Sequence, residues 1–355
     1  MMAASEASSA GSATSTEDTA DVVVKIGNNP LDGETAARVS DLKLQKSIGA
    51  AAELTLQLDA LDQDTGNLLW VDDKLFAPGA TVDVELGYVD HRDVKFHGDI
   101  VGLDLEIGPG SAVLTITARD ILHRLGRGQR SHPHSPNKSY AAVVRDIAQE
   151  RNVPVDAADD ATHDPVHGSV NQQNQSDLTF LLDLAAKIGY ELFANGPTLV
   201  FRKSHLDDKQ GQLILTADRD LVRLHATLNA AGQLGGVDIR ILDTETKSVL
   251  SASEDNPDAA DGSYGPARTV IVGEALTSQE QVNARAKSEL TAMRSSFLEV
   301  DGSCLGRTDL APGMVIELDK KLGKRFGGLY HVRSVTHTVS SGGFRTSFTL
   351  KGQPR

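Results

Sequence analysis

The sequence predicts an α+β protein that is mainly β, in which two copies of one β-barrel module flank a small α/β unit made of a helix and a hairpin. The first observation is an internal repeat: Ala77-Pro78-Gly79 returns as Ala311-Pro312-Gly313, 234 residues later. The second is apolar–polar alternation, typical of half-buried strands, around both copies. The third is an amphipathic helix followed by a hairpin signal between them. A duplication of this long period indicates a module used twice per chain.

The repeat extends through turns and strands. Pro followed by Gly suits the two central positions of a type II turn, and an alternating segment follows each turn, at 82–86 and at 315–318. Nineteen residues after each alanine stands an aromatic–histidine pair. The alignment without a gap matches Phe96-His97 with Tyr330-His331, Val101 with Val335, Gly108 with Gly342 and 114–116 with 348–350. We therefore expect segments 77–117 and 311–351 to superpose, with Phe96 over Tyr330.

Residues 21–126 carry mostly strand signals. Alternating or β-branched runs stand at 22–26, 42–45, 53–58, 82–86 and 114–116. Turn residues such as Asn28-Asn29-Pro30 and Gly108-Pro109-Gly110 separate them. This spacing predicts a small barrel or sandwich as the first β domain, over 21–126. Residues 1–20 are rich in Ser, Ala and Thr and lack the basic and apolar regions of a signal peptide, which predicts a disordered tail.

Residues 127–210 are predicted to be a linker and an inserted α/β domain. The Gly- and Pro-rich segment 126–137 breaks both periodicities. Ser139 is a predicted cap for a helix over 140–152, and a polar stretch then runs to residue 175. Ser176 is the predicted cap of a second helix, which ends at Gly189. The apolar side chains of that helix are Leu178, Leu181, Leu182, Ala185 and Ile188. A hairpin over 190–202 follows, with its turn at Asn195-Gly196.

The second barrel domain is predicted over 211–355. Strand signals begin near Leu213 and continue at 236–242. Residues 251–266 are acidic and nearly free of apolar side chains, which predicts a solvated loop. Residues 277–280 form a predicted capping box for a helix with Val282, Ala286, Leu290 and Met293 on one face. The repeated turn and strands complete the domain.

Composition excludes several classes of protein. The 355 residues carry a formal net charge of −14, which argues against a general nucleic-acid-binding surface. The single cysteine, Cys304, rules out an internal disulfide and is interpreted as a packed thiol. No apolar run approaches the roughly 18 residues of a membrane span. The basic clusters at 127–138 and 320–325 are interpreted as contacts between subunits, because neither is interleaved with stacking aromatic residues.

Histidines are the main candidates for chemistry. His132 and His134 lie in the Pro-rich linker, and His163-Asp164-Pro165-Val166-His167 resembles a possible metal-binding segment. The spacing matches no zinc pattern, and Pro165 breaks any helix that would place both imidazoles on one face. We therefore expect His163 and His167 to lie in a solvated loop. The strand histidines are expected to face solvent or an interface; they are His97, His331 and His337. Because no nucleophile elbow, phosphate loop or dinucleotide fingerprint is present, we predict no catalytic residue, cofactor or metal.

Two blocks of residues resemble a known family, the phage late control D proteins. This family includes the hubs of contractile tail baseplates and the hub half of the VgrG-type spike of type VI secretion. The first block is 176–182 with 189–193 and 199–202, and the second is 281–290 with 310–313, 328–332, 335, 337 and 344–346. The resemblance covers roughly 21–352. It implies two tube-like β-barrels per chain, an inserted domain between them, and a homotrimer that presents six barrels.

The resemblance also implies a function and partners. The chain is expected to be a structural baseplate hub of a phage tail or a phage-tail-like contractile injection system, and not an enzyme. Expected partners are two further copies of the chain, an inner tube protein above, a spike protein below and other baseplate subunits, without specific nucleic acid or membrane insertion. The sequence stops at Arg355 after its last strand, which suggests a separate spike. Assembly is expected in the cytoplasm, followed by incorporation into a particle.

Two alternatives of other classes stay open at this point. One is a wall hydrolase or metallohydrolase that uses the His-rich middle segment. The other is a tail assembly chaperone or effector carrier that never enters the particle. The sequence does not distinguish a virus from a released or membrane-anchored injection system.

Overall fold

The computed structural model describes residues 20–89, 91–168, 170–206, 208–242, 247–257, 267–274 and 276–352. The predicted disordered tail therefore lies outside the described residues, except for Ala20. Residues 258–266 of the predicted acidic loop also lie outside them. The described residues confirm the predicted class: the fold is α+β and mainly β.

The first β-module contains seven strands and one short helix. The strands are β1 Ala20–Ile26, β2 Asn29–Pro30, β3 Val39–Ser47, β4 Ala50–Asp59, β5 Thr81–Tyr88, β6 His91–Gly108 and β7 Ser111–Arg119, and the helix is α1 Gly33–Ala37. Alternation produces the core, because every second side chain of a strand points to the same face. In β4, Leu54, Leu56 and Leu58 are fully buried.

The inserted unit contains three helices and two small sheets. Its elements are α2 Leu122–Leu125, β8 Arg130–Pro133, α3 Tyr140–Glu150, β9 Val155–Ala157, β10 Asn171–Gln175, α4 Asp177–Ile188, β11 Tyr190–Asn195 and β12 Thr198–Lys203. The helix caps are as predicted: Ser139 accepts from Ala142 N, Ser176 accepts from Thr179 N, and Gly189 ends α4 at a φ of 70°. The hairpin β11–β12 is also confirmed.

One prediction for this unit is wrong: the segment 126–137, interpreted as a linker, contains strand β8. The polar stretch before residue 175, for which the sequence predicted no element, contains β9 and β10. Strands β8 and β10 pair with each other, and β9 pairs with β12. Polar strands of this kind have no alternation for the sequence to display. In β10, Gln172 is buried and donates to the carboxylate of Asp177, 3.0 Å away.

The second β-module and an additional layer follow. Their elements are β13 Leu213–Leu215, β14 Leu221–Leu228, β15 Gly236–Leu242, β16 Val249–Asp255, β17 Arg268–Val272, α5 Gln279–Ser295, β18 Leu298–Leu305, β19 Val315–Leu318, α6 Gly323–Phe326, β20 Gly328–Ser340 and β21 Gly343–Gly352. Cys304 is buried in this module, as predicted, and burial raises the pKa of its thiol to about 11.

Strands β15 to β17 form a separate sheet that packs against α5 around its own core, centred on Val237, Ile239 and Val282. The sequence did not distinguish this layer from the second barrel. The predicted solvated loop at 251–266 is wrong over its first five residues, which belong to β16. The predicted capping box is displaced by one residue: Ser278 caps α5, and Gln281 reaches back to Thr277 N at 2.7 Å.

Both β-modules belong to one large sheet. Its strands run in the order β14-β18-β21-β20-β3-β4-β7-β6-β5-β1-β2. Outside this order, β19 pairs with β20, and β13 pairs with β19. The two modules meet where β20 pairs antiparallel with β3, from Ser334 opposite Ser47 to Ser340 opposite Asp41. The hydrogen-bonded ladder therefore continues across the boundary between the modules.

The two modules repeat the same plan, but the register differs from the prediction. The turns match as expected, because Gly79 and Gly313 both have positive φ, 92° and 85°. In the following hairpins, however, Val82 pairs with Gly98, whereas Ile316 pairs with Tyr330. The residue equivalent to Tyr330 is thus Gly98, not Phe96. Strand β20 therefore matches β6 at an offset of 232 residues, two fewer than the offset of the turns.

Two β-bulges fix the corrected alignment. The bulge at Val101 in β6 corresponds to the bulge at Arg333 in β20, again 232 residues later. The bulge at Ser40 in β3 corresponds to the one at Val222 in β14. The gap-free alignment hid the two-residue difference because a slip of two keeps every side chain on the same face of its strand.

Candidate interaction surface

The equivalent edges of the two modules are not equally covered. Residues 334–340 of β20 pair with β3, whereas the equivalent residues 102–108 of β6 have no strand on that edge in the described part of the chain. Ile107 is 64% exposed there. Likewise β3 lies between two strands, whereas its equivalent β14 is the last strand of the sheet. The large sheet thus has two open edges, one along β14 and one along the second half of β6.

The sheet also presents a polar face opposite its apolar core. The side chains on this face are mainly short hydroxyl and amide groups with charges of both signs; those of the central strands are Asp41, Lys43, Gln45, Glu53, Thr55, Gln57, Thr336, Thr338, Arg345, Ser347 and Thr349. Arg119 and Glu53 form an ion pair on it, at 2.8 Å. Near β14 the face is concave, with a cavity of about 330 Å³.

A buried ionic cluster joins the inserted unit to the second module. Glu191 of β11 lies 2.7 Å from His331 Nε2 of β20, a contact poorly aligned for a hydrogen bond, and both side chains are under 5% exposed. Ser204 donates to the same carboxylate at 2.6 Å, and Arg202 donates to the carbonyl of Gly313. Burial alone would raise the pKa of Glu191, but the contacts with His331, Ser204 and Arg202 lower it below its usual value.

The first module carries a different ion pair at the equivalent position. His331 corresponds to Asp99, which accepts two hydrogen bonds from Arg124 of α2, at 2.5 and 2.6 Å. In the first module the acidic partner belongs to the β-module and the basic partner to the inserted unit. In the second module the acidic partner belongs to the inserted unit and the histidine to the β-module. Asp99 is buried, but Arg124 is half exposed. Neither cluster is predicted from the sequence, although Glu191 stands out as a charged residue inside the apolar strand segment 190–193.

The histidines do not form a chemical site. His163 is partly exposed and contacts Asp160 and Lys203, whereas His167, predicted to lie in a solvated loop, is buried and stacked on Tyr140 at 3.7 Å. Burial lowers the pKa of His167 to about 4. His134 is buried against Phe180. Among the described residues, no three His, Cys, Asp or Glu side chains are grouped as metal ligands would be.

The strand histidines divide between surface and core. His97 is partly exposed and contacts Asp83 at 2.7 Å. The prediction of solvent-facing or interface positions is wrong for His337, which is buried in the core and bonded to Thr346 at 3.1 Å. His331 is buried at the boundary with the inserted unit, which agrees with an interface position.

The predicted basic clusters are partly engaged within the chain. Arg130 pairs with Asp177 and Glu150, and Lys321 pairs with Asp218. A cavity of about 810 Å³ between the inserted unit, α5 and the second module is lined by charges of both signs. Such a lining selects no particular class of ligand. Within the described residues, no helix is both long and apolar enough to span a membrane.

Comparisons with solved structures agree with this fold. The 43 kDa tail protein of prophage MuSo2 from Shewanella oneidensis has a TM-score of 0.72 at 12% identity, covering 94% of this chain and 98% of the other. A tail protein of Neisseria meningitidis gives 0.71 at 14% identity, covering 94% and 96%. The E. coli c3393 protein, a component of the type VI secretion system, gives 0.59 at 14%, covering 94% and 76%. These likenesses confirm the predicted resemblance at the level of fold.

Comparison with sequences is more specific. No curated protein matches the chain. A family model described as the Alg8 N-terminal domain matches residues 16–341, which is most of the sequence. The chain therefore belongs to the family described as the Alg8 N-terminal domain.

Proposed function

We propose that the protein is a structural baseplate hub of a phage tail or of a contractile injection system, joining a hexameric inner tube to a trimeric spike. The observation that carries the proposal is the continuous sheet. One module continues its ladder into the other through β3 and β20, and the equivalent edges stay open along β14 and along the second half of β6. Open edges require cover, and head-to-tail contacts of this kind generate rings when the rotation closes.

The polar face supports a passage through such a ring. Its hydroxyl and amide side chains alternate with paired charges, and the chain as a whole is acidic. A surface of this composition offers a moving cargo few strong contacts, and its lining would be neutral or acidic. We expect residues 21–126 and 211–355 to supply the two barrels, with 127–210 as the inserted domain.

The partners proposed are two further copies of the chain, the inner tube protein, the spike protein and other baseplate subunits, without specific nucleic acid. The hub would assemble in the cytoplasm and then form part of the particle, without inserting into a membrane. We propose no catalytic activity. No specific observation on the described residues favours the hydrolase reading, because His134 is packed against Phe180 and His167 against Tyr140. The described residues likewise offer no observation that favours the chaperone reading.

The proposal is tested by reconstitution. The chain is co-expressed with the spike and tube proteins encoded beside it, and the complexes are measured by light scattering and electron microscopy. We expect three copies of the chain on one trimeric spike, continuous with six-subunit tube rings. A chain that binds neither protein, or that is missing from purified particles, would contradict the hub function and favour a chaperone.

A further inference from the structure

The junction between the two modules is a template for a second junction. Along it, Leu42 and Leu44 of β3 are buried opposite Val339 and His337 of β20, and the polar side chains between them face the other way. The apolar side chains of both strands thus share one face. The pairing is antiparallel and spans seven residue pairs.

Two strands carry the same pattern without the partner: β14, the last strand of the sheet, and the second half of β6, beyond the residues that pair with β5. Through the shared bulges, Leu42 and Leu44 correspond to Leu224 and Ala226 of β14, which are only partly buried. Val339 corresponds to Ile107 of β6, which is mostly exposed. Positions that are covered at the junction of β3 with β20 are therefore uncovered on β14 and on the second half of β6.

We propose that β14 of one copy pairs antiparallel with β6 of a second copy, in the register of the internal junction. When β6 is aligned with β20 and β14 with β3 through their bulges, Ile107 lies opposite Leu224 and Leu105 lies opposite Ala226. Gly108 and Arg223 form the pair at one end. The partner is thus a second copy of this chain, and the sheet continues from chain to chain. This inference rests on the proposed function, because a hub ring needs copies joined side by side.

Charge supports the same register. On the polar side, β6 contributes Asp104 and Glu106, whereas β14 contributes Arg223 and His225. The proposed pairing places Glu106 directly opposite His225 and diagonal to Arg223, within the range in which cross-strand side chains interact. A shift by one residue would place the apolar side chains of one strand beside the polar ones of the other. The alternation of apolar and polar side chains therefore excludes odd shifts, and the shared bulges specify the register among the even ones.

Cross-linking tests the register. Ile107→Cys and Leu224→Cys are introduced into one chain, whose native Cys304 is buried and has a raised thiol pKa, and the concentrated protein is oxidised mildly. Six strands separate β6 from β14 in the same chain, so a disulfide between these positions joins different copies. We expect covalent dimers and trimers on a denaturing gel. The matched control is Ile107→Cys with Leu228→Cys, displaced by four residues, about 13 Å along the strand, which should stay uncross-linked.

A charge exchange supplies a second test on exposed residues. Glu106→Arg should weaken self-association about fivefold at low salt, because it places a like charge diagonal to Arg223, and Glu106→Arg with His225→Glu should restore it by placing opposite charges directly across from each other. Assembled protein without the 107–224 cross-link, or with the control cross-link, overturns the pairing but leaves the hub function standing. Cross-linked rings that bind neither spike nor tube support the pairing and contradict the hub function. A chain that stays monomeric at every concentration overturns the pairing.

Discussion

The two β-modules share one plan but differ in how they are connected. In the first module, β3 and β4 are joined by a two-residue turn at Ile48-Gly49, whereas their equivalents β14 and β18 are separated by the whole layer of β15–β17 and α5. The first strand of the first module pairs antiparallel with β5, but its counterpart β13 pairs parallel with β19. The sheet thus tolerates large changes in its connections as long as the pairing of its central hairpin is kept.

The modules also differ in which surfaces their equivalent residues meet. The turn glycines have the same backbone conformation, yet a Cβ on Gly79 would meet open space, whereas one on Gly313 would lie 2.5 Å from Arg202. The turn of the second module therefore contacts the inserted unit, whereas the turn of the first module does not. Equivalent substitutions in the two modules should show how much of the lost free energy of unfolding comes from the shared backbone conformation and how much from the contacts with the inserted unit.

The largest difference is expected at the two ion pairs. Glu191→Ala should lower the free energy of unfolding by about 4 kcal/mol, because it leaves His331 and Arg202 without their buried partner. The equivalent change, Asp99→Ala, should cost about 1 kcal/mol, since Arg124 is half exposed and regains water. Urea unfolding of both variants measures this. Equal losses would show that the second module's junction is no more important than the first's.

The turn glycines come next. Gly313→Ala should cost about 3 kcal/mol, the sum of a positive φ and the displacement of the Arg202 guanidinium. Gly79→Ala carries only the positive φ and should cost about 1 kcal/mol. Thermal and urea unfolding give both values. If Gly79→Ala were as harmful, the contact with the inserted unit would not be the cause.

A pH effect should distinguish the two modules. Burial, with a smaller effect of Lys46, lowers the pKa of His337 to about 3, while Leu105 occupies the equivalent position in the first module. Because the unfolded histidine titrates near 6.5, the unfolded state binds the extra proton and stability falls as pH decreases from about 6.5 towards 3.

His337→Leu should therefore reduce the stability lost between pH 7 and pH 5 by about 2 kcal/mol. Thr346 would keep its hydrogen bond from Arg307 N, so the loss at pH 7 should be small. Urea midpoints at the two pH values provide the measurement, and His163→Ala, at a partly exposed position, is the control. An unchanged pH dependence would show that His337 is not the group responsible.

The smallest difference concerns the two edges. In the isolated chain, Ile107→Thr should change stability by less than about 0.5 kcal/mol because its side chain is exposed, whereas Val339→Thr, at the covered junction, should cost about 1.5 kcal/mol. Measurements at low protein concentration keep the chain from associating. A large loss for Ile107→Thr under these conditions would mean that its edge is already covered within one chain.

Much of the fold could be predicted because it depends on local signals. The residues that indicate helix ends, through their own hydrogen bonds or backbone angles, are Ser139, Ser176 and Gly189. The alternation of β4 indicates a strand with one buried face, and the two Pro-Gly turns indicate a repeat. These signals act over a few residues, so a single sequence contains them.

The tertiary structure alone decided the rest. The polar strands β8 and β10 exist because each is the other's partner, and His167 is buried because Tyr140 stacks on it. The two-residue offset between the modules was invisible, since the sequence specifies which face a residue occupies and a slip of two preserves it. Whether an edge strand is covered or open depends on its neighbour in space. Local sequence therefore determined the strands and caps, and long-range pairing determined the register, the junction and the open edges.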